Sequence, residues 1–158
     1  MDNDPIRTLR NAMGNFATGI TVITALDQQG NPQGMTANSF SSVSLDPALV
    51  SWCVGKESRL FELFQRAEYF AVNILHSAQA SVSQLFAGSE QDKFSRVNWH
   101  PGLYGLPLLD DCPCIFQCQV EHRHPGGDHI ILVGRVLDYT NEPLEPLIFH
   151  GGQYRTLK

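Results

Sequence analysis

Between Gly34 and Ser44 the chain sets the hydroxyls of Thr36, Ser39, Ser41, Ser42 and Ser44 and the amide of Asn38 among few apolar residues. A strand buried on one face would carry more apolar positions. Such a run suits a polar edge strand with a Ser-rich bend. It equally suits a wall of N–H and O–H groups facing a ligand with many acceptors. A second cluster, Gly55-Lys56-Glu57-Ser58-Arg59, follows an apolar run and opens a helical pattern. A helix start offers free N–H groups and partial positive charge, to which Lys56, Ser58 and Arg59 add donors suited to phosphate. The plainer alternative is a solvated turn with Ser58 as N-cap. In the third cluster, Gly126-Gly127-Asp128-His129, the glycines need only make a tight hairpin. His129, at the strand start, is a donor or acceptor that could be held over a reacting ring.

Cys112, Cys114 and Cys118, followed by His122, His124, Asp128 and His129, offer metal-ligating side chains. Their spacing is CxC then CxxxC, not the paired CxxC of structural zinc, so no metal is expected. Nothing marks one of the thiols as an activated nucleophile. A metal-dependent protein using this cluster remains the rival from another class, which metal analysis would decide.

The elements that position these residues follow from periodicity and punctuation. A helix is predicted from Pro5 to Phe16, with Ile6, Leu9, Met13 and Phe16 on one side. Strands are predicted at residues 20–26 and 33–40, joined by the turn 28–32 into a hairpin. Ser44–Pro47 reads as a turn before a buried strand at 48–54, then a helix capped by Ser58. A strand at 69–75 and a helix at 78–87, with Val82, Leu85 and Phe86 inward, come next. The Gly- and Pro-rich stretch 98–113 reads as a long loop. Strands at 114–122 and 129–138 flank a hairpin at 125–127, and a last strand covers 146–149. Many short strands without a βαβ rhythm predict an antiparallel barrel or sandwich. Neither GxGxxG nor GxxxxGK[ST] occurs.

The 158 residues suit a single domain, 1–158, and the composition, 42% hydrophobic and 17% charged, is that of a globular chain. The net charge of −5, with Lys and Arg scattered, speaks against nucleic acid as a partner. No apolar run approaches the roughly 20 residues that span a bilayer. The acidic start, Met1 to Pro5, carries no signal-peptide pattern, so the expected location is the cytoplasm with its four cysteines reduced.

Taken together, the segments resemble the short-chain flavin reductase family, the flavin reductase-like domains of the FMN-binding split barrel. The resemblance rests on Thr18 to Thr24, Gly34 to Phe40 with Ser42 to Pro47, Phe70 to Leu75, Phe86-Ala87 with Lys93-Phe94, Gly127-Asp128-His129 with Gly134-Arg135-Val136, and Gly151 to Tyr154. It covers essentially the whole chain in order; Cys112 and Cys114 depart from the family's usual pattern.

The resemblance implies a mainly β fold with a few helices, a six-stranded Greek-key split β-barrel that forms a homodimer. It implies an NAD(P)H-dependent enzyme that passes a hydride from NADH or NADPH to FMN or FAD. The reduced flavin would then go to a separate monooxygenase. By position, Thr36, Ala37, Asn38, Ser39, Ser42 and Val43 would contact the flavin ring and ribityl chain. Lys56, Ser58 and Arg59 would lie near its phosphate, and Phe86, Ala87 and Lys93 would close the other side. His129, as the catalytic residue, and Tyr154 would border the nicotinamide. NADH is favoured because no arginine cluster awaits a 2′-phosphate. A flavin-binding protein of the same fold that carries electrons without turning over NADH is the alternative.

Overall fold

The computed structural model describes residues 3–158; Met1 and Asp2, part of the acidic start, lie outside the described residues. The chain runs α1 (Pro5–Met13), β1 (Thr18–Gly19), β2 (Thr21–Leu26), β3 (Pro32–Ala37), β4 (Ser41–Leu45), β5 (Ala48–Gly55) and α2 (Phe61–Arg66). It continues as β6 (Tyr69–Ile74), α3 (Ala80–Ala87), β7 (Trp99–Pro101), β8 (Pro107–Leu109), β9 (Cys114–Gly126), β10 (His129–Asn141), β11 (Ile148–His150) and β12 (Gln153–Arg155).

Seven strands form one antiparallel sheet in the order β3-β2-β6-β9-β10-β5-β4. Its two margins, β3 and β4, are consecutive in sequence and joined by only Asn38, Ser39 and Phe40. That short link forces the sheet to curl until its margins approach, yet they do not pair. The barrel is therefore split, and it has seven strands where the family resemblance implied six. Local chemistry sets the hairpins. In the β2–β3 turn the Asp27 carboxylate accepts from the N–H groups of Gln29 (2.9 Å) and Asn31 (2.8 Å), and Gly30 takes the positive φ of +80° that the turn needs.

The interior is filled from β2, β5, β6, β9 and β10. Trp52, Phe64 and Phe70 meet at its centre, the Trp52 ring edge-on to Phe64 at 4.7 Å between centroids. A second cluster, Ile20, Val22, Leu75, Phe86, Leu109 and Leu147, lies under α3. At Gly134 a Cβ would come within 2.4 Å of the Phe70 ring, so glycine is required where β10 passes that ring.

Several expectations are corrected. α1 ends at Met13, before Phe16, and buries none of its residues; Ile6, Leu9, Met13 and Phe16 all face solvent. Ser44 and Leu45 belong to strand β4 rather than to the turn. Helix α2 starts only at Phe61. Ser58 Oγ accepts from the Leu60 N–H at 3.2 Å, so it caps the turn before the helix. The 98–113 stretch is not a plain loop: β7 and β8 pair within it, and Leu106, Leu108 and Leu109 are buried. Two buried side chains stitch it down. Asn73 Oδ1 accepts from the Leu109 N–H (2.9 Å), and Thr24 Oγ1 donates to the Pro107 carbonyl. The hairpin tip is Gly127–Asp128 rather than residues 125–127, and β12 adds a strand after Gly151-Gly152.

Candidate active site

The polar segment of β3, its link and β4 occupies the split. As margins, β3 and β4 leave alternate backbone N–H and C=O groups without ladder partners. Several hydroxyls there are already committed. Thr36 Oγ1 donates to the Ser83 carbonyl of α3 at 2.6 Å. Ser39 Oγ accepts from the Cys53 N–H (2.9 Å) and donates to its carbonyl (3.3 Å), taking the place of a missing rung beside β5. The Ala37 carbonyl accepts from Thr21 Oγ1 at 2.7 Å. Asn38 and Ser42 are exposed, and Val43, at the β4 register shift, is 52% exposed. The amide of Asn38, the Ser42 hydroxyl and the free backbone edge are what this wall presents outward.

Beside it, Arg59 and Lys93 converge on one point. Lys93 Nζ donates to the Gly88 carbonyl (2.7 Å) and the Phe86 carbonyl (3.3 Å); the Arg59 guanidinium donates to the Gly88 and Ser89 carbonyls at 3.4 and 3.5 Å. Two cations thus cap the carbonyl end of α3, where the helix dipole is negative. Burial, with the Arg59 charge second, lowers the Lys93 pKa from its ordinary value. The Phe86 ring packs on Gly34, where a Cβ would sit 3.0 Å from it, and Ala87 is exposed. These groups border a cavity of about 590 Å³ that Gln33, Gly34, Arg59 and Lys93 help to line. Ser58 joins Lys56–Arg59 to β3 through a 3.8 Å contact from its Oγ to Met35 Sδ.

His129 lies at the far end of β5. Its Nδ1 is 2.7 Å from Asp128 Oδ1, and its Nε2 side lies over Gly55, 3.5 Å from where a Cβ would be. The Lys56 N–H donates to the Asp128 carbonyl at 2.9 Å, so the hairpin tip is tied to the Lys56–Arg59 turn. The bond to His129, with its charge second, holds the Asp128 carboxyl below its ordinary pKa. The sequence offers Asp128 only as a metal-ligating side chain; its place beside His129 is the signal for this partnership. Tyr154 belongs to another group: its hydroxyl is 2.9 Å from Ser83 Oγ and its ring packs on Phe149. Buried Ser83, which pattern reading passed over, links Tyr154 to Thr36.

The donor set fits a phosphorylated aromatic ligand. A free backbone edge and an amide could meet ring acceptors, and two cations beside a cavity could meet an anion. No helix among the described residues is long and apolar enough to cross a membrane. The described residues contain no group of three or more His, Cys, Asp or Glu placed to hold a metal. Burial pushes the Cys112 and Cys118 thiols up to about 12. Only about one in ten thousand of either would be thiolate at pH 8, and the thiolate is the reactive form. A disulfide-exchange reagent is therefore expected to label both only on unfolding, as mass spectrometry of labelled peptides would show. Rapid labelling of either in the folded chain would contradict this.

A family model described as "Flavin reductase like domain" matches residues 13–158. The chain is 42% identical over 151 residues to the "Flavin-dependent trigonelline monooxygenase, reductase component" of Acinetobacter baylyi, covering 96% of this chain and 49% of that one. It is 40% identical over 148 residues to the "FMN reductase (NADH) SmoA" of Agrobacterium fabrum, covering 94% and 84%. In three dimensions it matches the NADH:FAD oxidoreductase SgcE6 of Streptomyces globisporus, solved with NAD and FAD fragments. The TM-score is 0.93 at 37% identity, covering 100% of this chain and 96% of that one. Overall, the chain spans half to two thirds of the length of the curated relatives it matches first.

Proposed function

We propose the following from one premise, that the chain belongs to the flavin reductase like domain family: it transfers a hydride from NADH or NADPH to FMN or FAD. Reduced flavin then serves a separate monooxygenase. The observation that carries this reading is the open margin of the barrel, where the Asn38 amide and unpaired backbone groups of β4 stand free. Relatives named as an NADH-dependent FMN reductase and as the reductase component of a monooxygenase support it.

Bound there, flavin and nicotinamide supply the redox chemistry, accepting and donating the hydride. The chain's own residues orient and stabilise. Asn38, Ser42 and the β4 edge would hold the ring, with Thr36, Ala37, Ser39 and Val43 shaping the wall. Donors aimed at the ring favour the negative charge that grows on it. Arg59 and Lys93, with Lys56 and Ser58 nearby, would meet the phosphate, with Phe86 and Ala87 closing that side. His129 would border the nicotinamide, and Tyr154 would brace Ser83 beneath Thr36. Holding two rings in contact distance removes much of the entropic part of the barrier.

We place the protein in the cytoplasm on its free cysteines. A homodimer would cover the apolar side of α1 together with Val43 and Leu45, the latter 95% exposed. Purified chain mixed with NADH and FMN or FAD is expected to consume the nicotinamide absorbance only when flavin is present. No flavin-dependent oxidation would favour the electron-carrier reading instead. Asn38→Leu should weaken flavin binding about tenfold, the loss of one or two hydrogen bonds plus added bulk, while thermal stability holds. Fluorescence titration with FMN measures it, and unchanged affinity would place the ring elsewhere.

A further inference from the structure

We propose that His122 and His124 form a bidentate chelate for a divalent transition ion of the Ni²⁺, Cu²⁺ or Zn²⁺ class on the outer face of the β9–β10 hairpin. The two residues stand two apart on β9, so their side chains share one face, about 6.7 Å apart along the strand. Both are exposed, and their rings lie close to parallel, 25° apart with centroids at 5.6 Å. Among the described residues neither imidazole has a hydrogen-bonding partner, which leaves its nitrogens for a ligand. Their cross-strand neighbours, Val133 and Ile131, offer no competing acceptor.

The backbone between them is fixed from behind. Arg123, on the opposite face, donates to the Phe64 carbonyl at 3.1 and 3.2 Å and to the Ala67 carbonyl, at the end of α2. The strand cannot easily twist to separate the pair. Metal–imidazole bonds of about 2.0–2.1 Å require the two nitrogens to stand about 3 Å apart on one ion, which side-chain rotation reaches from stacked rings. Imidazole suits this class of ion, and water would complete the shell. The β9 and β10 alternation puts the site on the face that carries His129, whose partner Gly126 is two residues beyond His124.

The experiment is a calorimetric titration of the untagged full chain with NiCl₂ in a non-coordinating buffer. One saturable site per chain is expected. His122→Asn and His124→Asn should each weaken it at least about tenfold, while His100→Asn and His150→Asn leave it in place. Proton NMR should show paramagnetic broadening centred on the His122 and His124 rings, and melting curves confirm that each variant folds. Absence of saturable binding would overturn the proposal. So would unchanged affinity in both variants, or broadening centred on a cysteine instead.

Discussion

Replacing Trp52 with alanine is expected to lower the stability of the folded chain by about 3–5 kcal/mol, the cost of emptying a large aromatic site in a packed core. Trp52 is fully buried, edge-on to Phe64 at 4.7 Å and to Phe70 at 6.1 Å between centroids. In a chain of this size each kcal/mol moves the melting temperature by about 2–4 °C, so a fall of roughly 6–20 °C should appear by calorimetry. Trp52→Phe provides the contrast. The indole Nε1 is buried without a hydrogen-bond partner, so phenylalanine removes an unpaired donor while keeping most of the packing. It should cost much less than alanine. Equal losses would mean that the site collapses around any substitution.

Removing His129 should have the largest effect on turnover. His129→Ala is expected to lower kcat/KM for NADH by about a hundredfold, the scale on which misplacing a reacting partner is felt. Flavin affinity should change by less than about twofold, below 0.5 kcal/mol. Steady-state kinetics and a flavin titration on the same sample separate the two quantities. Parallel loss of both would make His129 a structural residue. Asp128→Asn tests the hold on the ring, since it removes the carboxylate 2.7 Å from Nδ1. The Asp128 pKa is depressed in the fold, so the carboxylate's hold is complete above the ordinary aspartate range near about 3.9. It fades only as pH falls through the lower folded value. The native profile should therefore show no Asp128 titration at neutral pH, and the asparagine variant should be impaired across that whole range.

The strands that carry a period-two or β-branched pattern, such as Thr21 to Leu26 and Ala48 to Val54, were legible from residues alone. So was the His129 hairpin, because Gly126-Gly127 announces it. Less legible were elements whose signal is tertiary. β7 and β8 are too short and too rich in proline and glycine to show periodicity; they exist because Asn73 and Thr24 reach out of the sheet to hold them. Helix α1 shows its apolar side in the sequence, yet that side is exposed in the single chain. The polar run at Thr36–Ser44 was visible as unusual. Its division of labour, with Ser39 replacing a rung beside Cys53 and Asn38 left outward, depends on where the margins of the sheet meet. Residues far apart in sequence, Arg59 and Lys93, could be paired only by the fold.

The small sheet of β1, β11 and β12 joins Thr18 to Phe149, and the Gly151 N–H donates to the Gly14 carbonyl at 2.9 Å. The places where the backbone first enters the barrel and finally leaves it are thus side by side. A gene recut so that these points are fused by a short bridge, and opened instead at the exposed Gln28-Gln29-Gly30 bend, would preserve every pairing of the seven-stranded sheet. New beginnings and ends would then sit at the exposed bend just before Asn31 and Gln33, which line the Arg59–Lys93 cavity, giving a handle for tethering a second component beside that cavity.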